Sequence, residues 1–158
     1  MTSSRGSPDR ACEVPIHEGS ELHVVVDGAN VVGSRPDGWW RDRPGAARRL
    51  AGRLVAALVE HPEDLAAALV DHPADLARVH LVLEGAARAV PDLPTHPLLE
   101  VHLAEADGDS AIAALAAELA AQGSTVLAVT GDRELRERVR RAGGSTVGPG
   151  ALLRALPG

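Results

Sequence analysis

The chain has 158 residues, enough for one ordinary domain with its own core, and 45% of them are apolar. A net charge of −6 argues against a protein that coats nucleic acid by bulk positive charge but leaves room for an enzyme with a local basic strip. The single cysteine, Cys12, excludes a disulfide framework and a thiolate zinc site, and no apolar run reaches the roughly 18 residues of a membrane span.

Residues 1–20 read as a flexible polar tail. Without an apolar h-region it does not read as a secretory signal, which points to a cytoplasmic protein. Leu22–Val26 is a continuous apolar run, a short buried strand, ended by Asp27-Gly28-Ala29-Asn30. Residues 31–44 read as a loop carrying Arg35, Trp39, Trp40, Arg41 and Arg43. Over 45–60, Leu50, Leu54, Ala57 and Leu58 fall at helical spacing, with Arg48, Arg49 and Arg53 on the polar side. The segment 57–67 recurs as 68–78, each copy with a His-Pro step at its centre. Two copies are too few for a solenoid, and each Pro should end one helix and start another. The repeat therefore predicts a helical extension near 57–78 within a single domain spanning 21–158.

Val79–Leu83 is a second strand, ended by Glu84-Gly85. A Pro-rich loop, 91–97, leads to a third strand over 98–103. Glu105, Asp107, Asp109 and Ser110 then precede an Ala-rich helix over about 110–121. A fourth strand, 125–129, is ended by Thr130-Gly131-Asp132. A helix over 133–142 follows, whose arginines alternate with Glu134 and Glu137 and read as a solvated face. A short strand at 145–147 and a helix at 151–156 close the chain. Strands that alternate with helices and read as unbroken apolar runs predict a parallel sheet covered on both faces.

The acids fall at the strand ends. Asp27 follows the first strand, Glu84 the second, Glu105, Asp107 and Asp109 the third, and Asp132 the fourth. In an open parallel sheet these positions share the C-terminal edge, where such folds bind ligands. Converging carboxylates repel one another unless protonated or neutralised by a cation. Oxygen-only ligands suit Mg²⁺ or Mn²⁺, which can support phosphoryl chemistry. Each acid also has a local reading: Asp109 and Asp132 as helix N-caps, Asp27-Gly28 and Glu84-Gly85 as turns. Arg35, Arg41 and Arg43 read as a phosphate strip or as a solvated face, and Trp39 and Trp40 as stacking groups for single-stranded bases or as an apolar lid. His61 and His72 belong to the repeat, and His23, His80 and His102 lie inside strands and read as structural residues without metal-binding spacing.

The stretch Val24-Val-Val-Asp-Gly-Ala-Asn-Val-Val32 resembles the opening motif of NYN domains, relatives of the PIN-like nucleases. Gly108-Asp-Ser-Ala-Ile112 resembles the acid motif at a helix start in that family, and Val129-Thr-Gly-Asp-Arg-Glu-Leu135 its later V-T-S-D-R-x-L motif. Gly148-Pro149 before a leucine-bearing helix is also similar to bacterial members, and the stretch 34–43 to an uncharacterised actinobacterial subgroup. The resemblance covers about residues 22–156. It implies a three-layer α/β/α, Rossmann-type fold with a mainly parallel sheet of about five strands, and hydrolysis of RNA dependent on Mg²⁺ or Mn²⁺. It carries over Asp27, Asn30, Asp109 and Asp132 as the acidic site, with the three aspartates holding metal and Asn30 orienting Asp27 or a metal-bound water. It implies RNA, single-stranded or structured, as the partner.

Two positions depart from the family pattern. Ser110 stands where the family has a second acid, and Arg136 where some relatives have a further one; Asp107 or Glu84 would compensate. The alternative is a degenerate module that binds RNA or a protein partner without cutting. A phosphatase with a nucleophilic Asp27 would need an acid two residues on, where the chain has Ala29.

Overall fold

A computed structural model describes residues 21–157 apart from Pro73 and Pro91. The expected N-terminal tail, 1–20, lies outside the described residues. The chain alternates strands and helices: β1 (Glu21–Asp27), α1 (Gly28–Gly33), α2 (Arg43–Glu60), α3 (Pro62–Leu69), β2 (Asp75–Leu83), β3 (Leu99–Leu103), α4 (Gly108–Ala121), β4 (Thr125–Val129), α5 (Arg133–Arg141), β5 (Ser145–Val147) and α6 (Pro149–Ala155). Short 3₁₀ turns occupy Trp39–Arg41 and Gly85–Ala89.

The five strands form one sheet in the order β3-β2-β1-β4-β5, and every pairing is parallel. β1 is central because its apolar run can be buried on both faces. Val24 and Val26 enter one core with Leu54 of α2, Leu65 of α3 and Leu152 of α6. Val25 enters the other with Ile112 of α4 and Leu135 and Val139 of α5. Alternation along one strand thus feeds two layers of helices, and each fully buried Val or Leu contributes about 1.5–3 kcal/mol before entropy is counted. The structure is α/β/α, as expected. No helix among the described residues is long and apolar enough to cross a membrane.

Two elements differ from expectation. The head of the expected 31–44 loop is helical: α1 follows β1 without a gap and buries Val31. Six residues are too few for a helical period to be read from sequence. Gly28 is required at its start, since a Cβ there would lie 2.7 Å from the Val82 carbonyl oxygen. The two copies of the repeat also take different structures. The first runs from the end of α2 into α3 and buries Ala57, Leu58, Leu65 and Ala66, and the first two residues of the second copy complete α3. The second does not start a helix: Asp75 and Leu76 pair with Glu21 and Leu22, and the register shifts between Leu22 and His23. Pairing with the central strand overrides the local helical preference of an almost identical sequence.

Candidate active site

β1 and β4 are neighbours, although the chain passes through β2 and β3 between them. The sheet order therefore reverses between β1 and β4, and a crevice opens outside the carboxyl ends of strands at such a point. Asp27 ends β1 there, and Thr130-Gly131-Asp132 follows β4.

Asp27 is only 4% exposed. Its Oδ1 accepts a hydrogen bond from the Asn30 backbone N–H (3.2 Å), and its Oδ2 accepts from the Thr130 hydroxyl (2.9 Å). The Thr130 oxygen in turn accepts from the Asp132 N–H (3.2 Å). The Asn30 side-chain oxygen accepts from the Gly131 N–H (2.7 Å), tying the start of α1 to the loop after β4. Asn30 thus positions Asp27 through its backbone, while its side chain braces the neighbouring loop. Thr130, fully buried, was not among the expected site residues; its place between Val129 and Asp132 in the later motif is the sequence signal for it.

Glu84 follows β2, and its Oε1 accepts from the Gly108 N–H (2.9 Å) at the start of α4. The N-cap of α4 is Asp107, which accepts from the Ser110 N–H (2.7 Å) and hydroxyl (3.3 Å). The capping role expected of Asp109 therefore belongs to Asp107, and Asp109 stands in the first turn. Asp132 does cap α5, accepting from the Leu135 N–H (2.9 Å). Glu105 is exposed.

The electrostatics report the convergence. Burial pushes the Asp27 carboxyl above its ordinary range; Asp109 and Glu84 push the same way, against the Thr130 and Asn30 hydrogen bonds. Burial and then the charges of Asp132, Glu84 and Asp107 raise Asp109, with Arg138 opposing. Asp107 is held below its ordinary range by its bonds from Ser110. Arg138, half-buried on α5, is the positive charge that acts on Asp107 and Asp109. Arg136 and Arg140 donate to the Thr146 hydroxyl (3.1 and 3.2 Å).

The donor set is all oxygen, and burial together with neighbouring carboxylates raises the proton affinity of Asp27 and Asp109. Both properties fit a hard divalent cation. Among the described residues no three of these carboxylates bring ligand atoms within 4.8 Å of one another.

The arginines divide. Arg35, Arg41 and Arg43 are exposed. Arg41 lies over the Trp40 ring (5.8 Å) and Arg43 over Trp39 (5.3 Å). Trp39 lines a small cleft of about 130 Å³ with Gly28, Arg43 and Glu84, while Trp40 is 52% exposed. Arg35 lines a separate cleft of about 340 Å³ with Arg49 and Arg53. Arg53 is spent on the chain end, donating to the Leu153 and Pro157 carbonyls (3.3 and 3.0 Å).

The strand histidines, read from the sequence as structural residues, stand next to one another across the sheet. His23, His80 and His102 form a row across β1, β2 and β3. His23 Nδ1 lies 2.9 Å from His80 Nε2, and His80 Nδ1 lies 3.0 Å from His102 Nε2. Glu100 Oε1 sits 3.6 Å from His80 Nδ1 and 3.9 Å from His102 Nε2. Residue spacing within one strand cannot disclose such a row, because it is built by register between strands.

No known protein family and no curated protein matches the chain. Its fold is similar to that of the crystal structure of a mutant of Rae1 (YacP) from Bacillus subtilis, with a TM-score of 0.55 and 19% identity over 84% of this chain and 72% of that one. The likeness shows a shared fold: helices on both faces of a parallel five-stranded sheet, an architecture consistent with PIN-like proteins.

Proposed function

We propose that the protein is a ribonuclease of the NYN, PIN-like kind that hydrolyses RNA phosphodiester bonds with Mg²⁺ or Mn²⁺. The observation that carries the reading is the buried Asp27 at the reversal point of the sheet, with the charges of Asp109 and Glu84 acting on it and that of Asp132 acting on Asp109. The order of the three motifs and the fold shared with Rae1 (YacP) support it.

In this reading Asp27, Asp109 and Asp132 hold the cation, directly or through water, and Glu84 and Asp107 add negative charge beside it. When bound, the cation supplies an activated water and steadies charge on the phosphate. The Thr130 hydroxyl and the Asn30 N–H aim Asp27 and favour its ionised form. Hydrolysis would add water to the phosphorus as the leaving oxygen departs and takes up a proton from solvent, with no covalent intermediate on the protein. Arg35, Arg41 and Arg43 bind the RNA backbone, and Trp39 and Trp40 offer faces to unpaired bases.

A second reading has one observation in its favour. Ser110 replaces an acid, and its hydroxyl and N–H are both spent on Asp107, which suits a module that binds RNA or a protein without cutting. Incubating purified protein with labelled single-stranded and structured RNAs, with Mg²⁺ or Mn²⁺ and with EDTA, separates the two. The expected result is metal-dependent cleavage that Asp27→Asn lowers by about a thousandfold, the scale of a lost metal-held charge. Folded wild-type protein that binds RNA yet never cuts it would establish the binding module instead.

A further inference from the structure

The row of histidines is built like a metal site, and it lies apart from the acids. His80 stands on β2, and Glu100 and His102 on the neighbouring edge strand β3. His80 pairs in register with Val25, two residues before Asp27 along β1. Buried Val82, level with Asp27, lies between it and Glu84 along β2.

Three ligand atoms converge there. His80 Nδ1, His102 Nε2 and Glu100 Oε1 are separated by 3.0, 3.6 and 3.9 Å. Bonds of about 2.0–2.2 Å to a tetrahedral zinc ion place ligand atoms about 3.4 Å apart. The observed triangle needs shifts of only a few tenths of an ångström to close on such an ion. Two imidazoles and one carboxylate are a donor set that suits zinc and its neighbours in the first transition row, unlike the all-oxygen set at the strand ends.

The surroundings carry the same signature. His80 Nε2, the nitrogen facing away from the triangle, meets His23 Nδ1 at 2.9 Å. A ligating histidine usually donates its other N–H to a partner that fixes its tautomer, and His23 is placed to accept it. With that proton on Nε2, His80 Nδ1 presents a bare lone pair toward His102 and Glu100. Burial, and then the two neighbouring rings, push the His80 pKa down to about 4, so the ring is neutral at physiological pH. The side chain of His80 is 4% exposed, those of His102 and Glu100 are 31% and 46% exposed, so the triangle opens to solvent on one side. Arg78 is the nearby opposing charge and donates to the same Glu100 Oε1 (3.3 Å), so an ion would share or displace that bond.

We infer that His80, Glu100 and His102 form a binding site for a divalent transition ion of the Zn²⁺ class, with His23 as the outer partner of His80 and the fourth position open to water. The ion would join β2 to the sheet edge. The site does not depend on the proposed nuclease reading, because it shares no residue with the strand-end acids.

The test is Zn²⁺ titration of the full chain, stripped of metal beforehand, in competition with a chromophoric chelator. Co²⁺ in its place reports four-coordinate geometry through intense visible absorption. Glu100→Gln is expected to weaken Zn²⁺ by about tenfold or more and His102→Ala by about a hundredfold. Asp27→Asn is expected to retain the affinity of the wild type, which separates this site from the acids. Circular dichroism checks that each variant is folded, and the half-exposed, nearly isosteric Glu100→Gln keeps the test valid should His102→Ala unfold. Zn²⁺ affinity that neither folded variant alters, or a folded wild-type chain that binds no Zn²⁺, overturns the site. The row would then be a chain of hydrogen-bonded imidazoles.

Discussion

At the scale of single residues, the protein holds Asp27 in conflict. Burial and neighbouring acids favour its neutral form, while the Thr130 hydroxyl and the Asn30 N–H favour the anion. A carboxyl must be ionised to bind a cation, so the proposed RNA cleavage is expected to be lost as pH falls through the pKa of Asp27. Because that pKa is raised, the loss begins above the range of an ordinary aspartate. Thr130→Val removes a hydrogen bond to the charged form and raises the pKa further. The acidic limb of the kcat/KM profile for RNA cleavage is expected to move to higher pH by about one unit, since a hydrogen bond to a charged group is worth about 1.5–3 kcal/mol and one unit is about 1.4. An unmoved limb in a folded variant would show that the hydroxyl does not act on Asp27.

Among the elements, the 3₁₀ turn Trp39–Arg41 offers two aromatic faces of different kinds. Gly38 enters the turn at φ 85°, in the left-handed region that glycine adopts freely. Trp39 turns inward against Gly33 and the small cleft beside Glu84. Trp40 meets it edge to face with centroids 6.0 Å apart and remains mostly exposed under Arg41. Base stacking on an exposed ring is worth about 1–3 kcal/mol. Trp40→Ala is therefore expected to weaken single-stranded RNA binding by about tenfold with the melting temperature nearly unchanged, as read by fluorescence anisotropy and thermal unfolding. Unaltered affinity would remove Trp40 from the RNA surface. The turn itself was not legible from the sequence, where 31–44 reads as loop, because neither α1 nor the 3₁₀ turn is long enough to show a period.

Over the whole molecule, two aliphatic cores on either side of β1 take the place of the missing Phe and Tyr. Leu54 of α2 is fully buried in the larger core, between helix and sheet. Leu54→Ala is expected to destabilise the protein by about 2–5 kcal/mol, from lost transfer energy and the cavity left behind, as measured by urea unfolding. A change below about 0.5 kcal/mol would mean that this core is loosely packed, since surface substitutions lie in that range. The two cores also aim the site: β1 and β4 run side by side through both, so Asp27 and Thr130 end at one level.

The sequence by itself determined which segments are strands and that acids follow four of them, because apolar runs and their Gly, Asp and Asn endings are local signals. It determined the helices α2, α4 and α5 to within a few residues for the same reason. Only the tertiary structure decided that Asp107 caps α4 while Asp109 stands in its first turn, because both have cap chemistry and the choice depends on where Glu84 meets Gly108. Only it decided that one copy of the repeat is a helix and the other a strand, because the neighbour available to each copy differs. The histidine row is the plainest instance. His23, His80 and His102 lie 57 and 22 residues apart in the chain and meet through strand register, which is set by packing across the sheet and is written in no single segment.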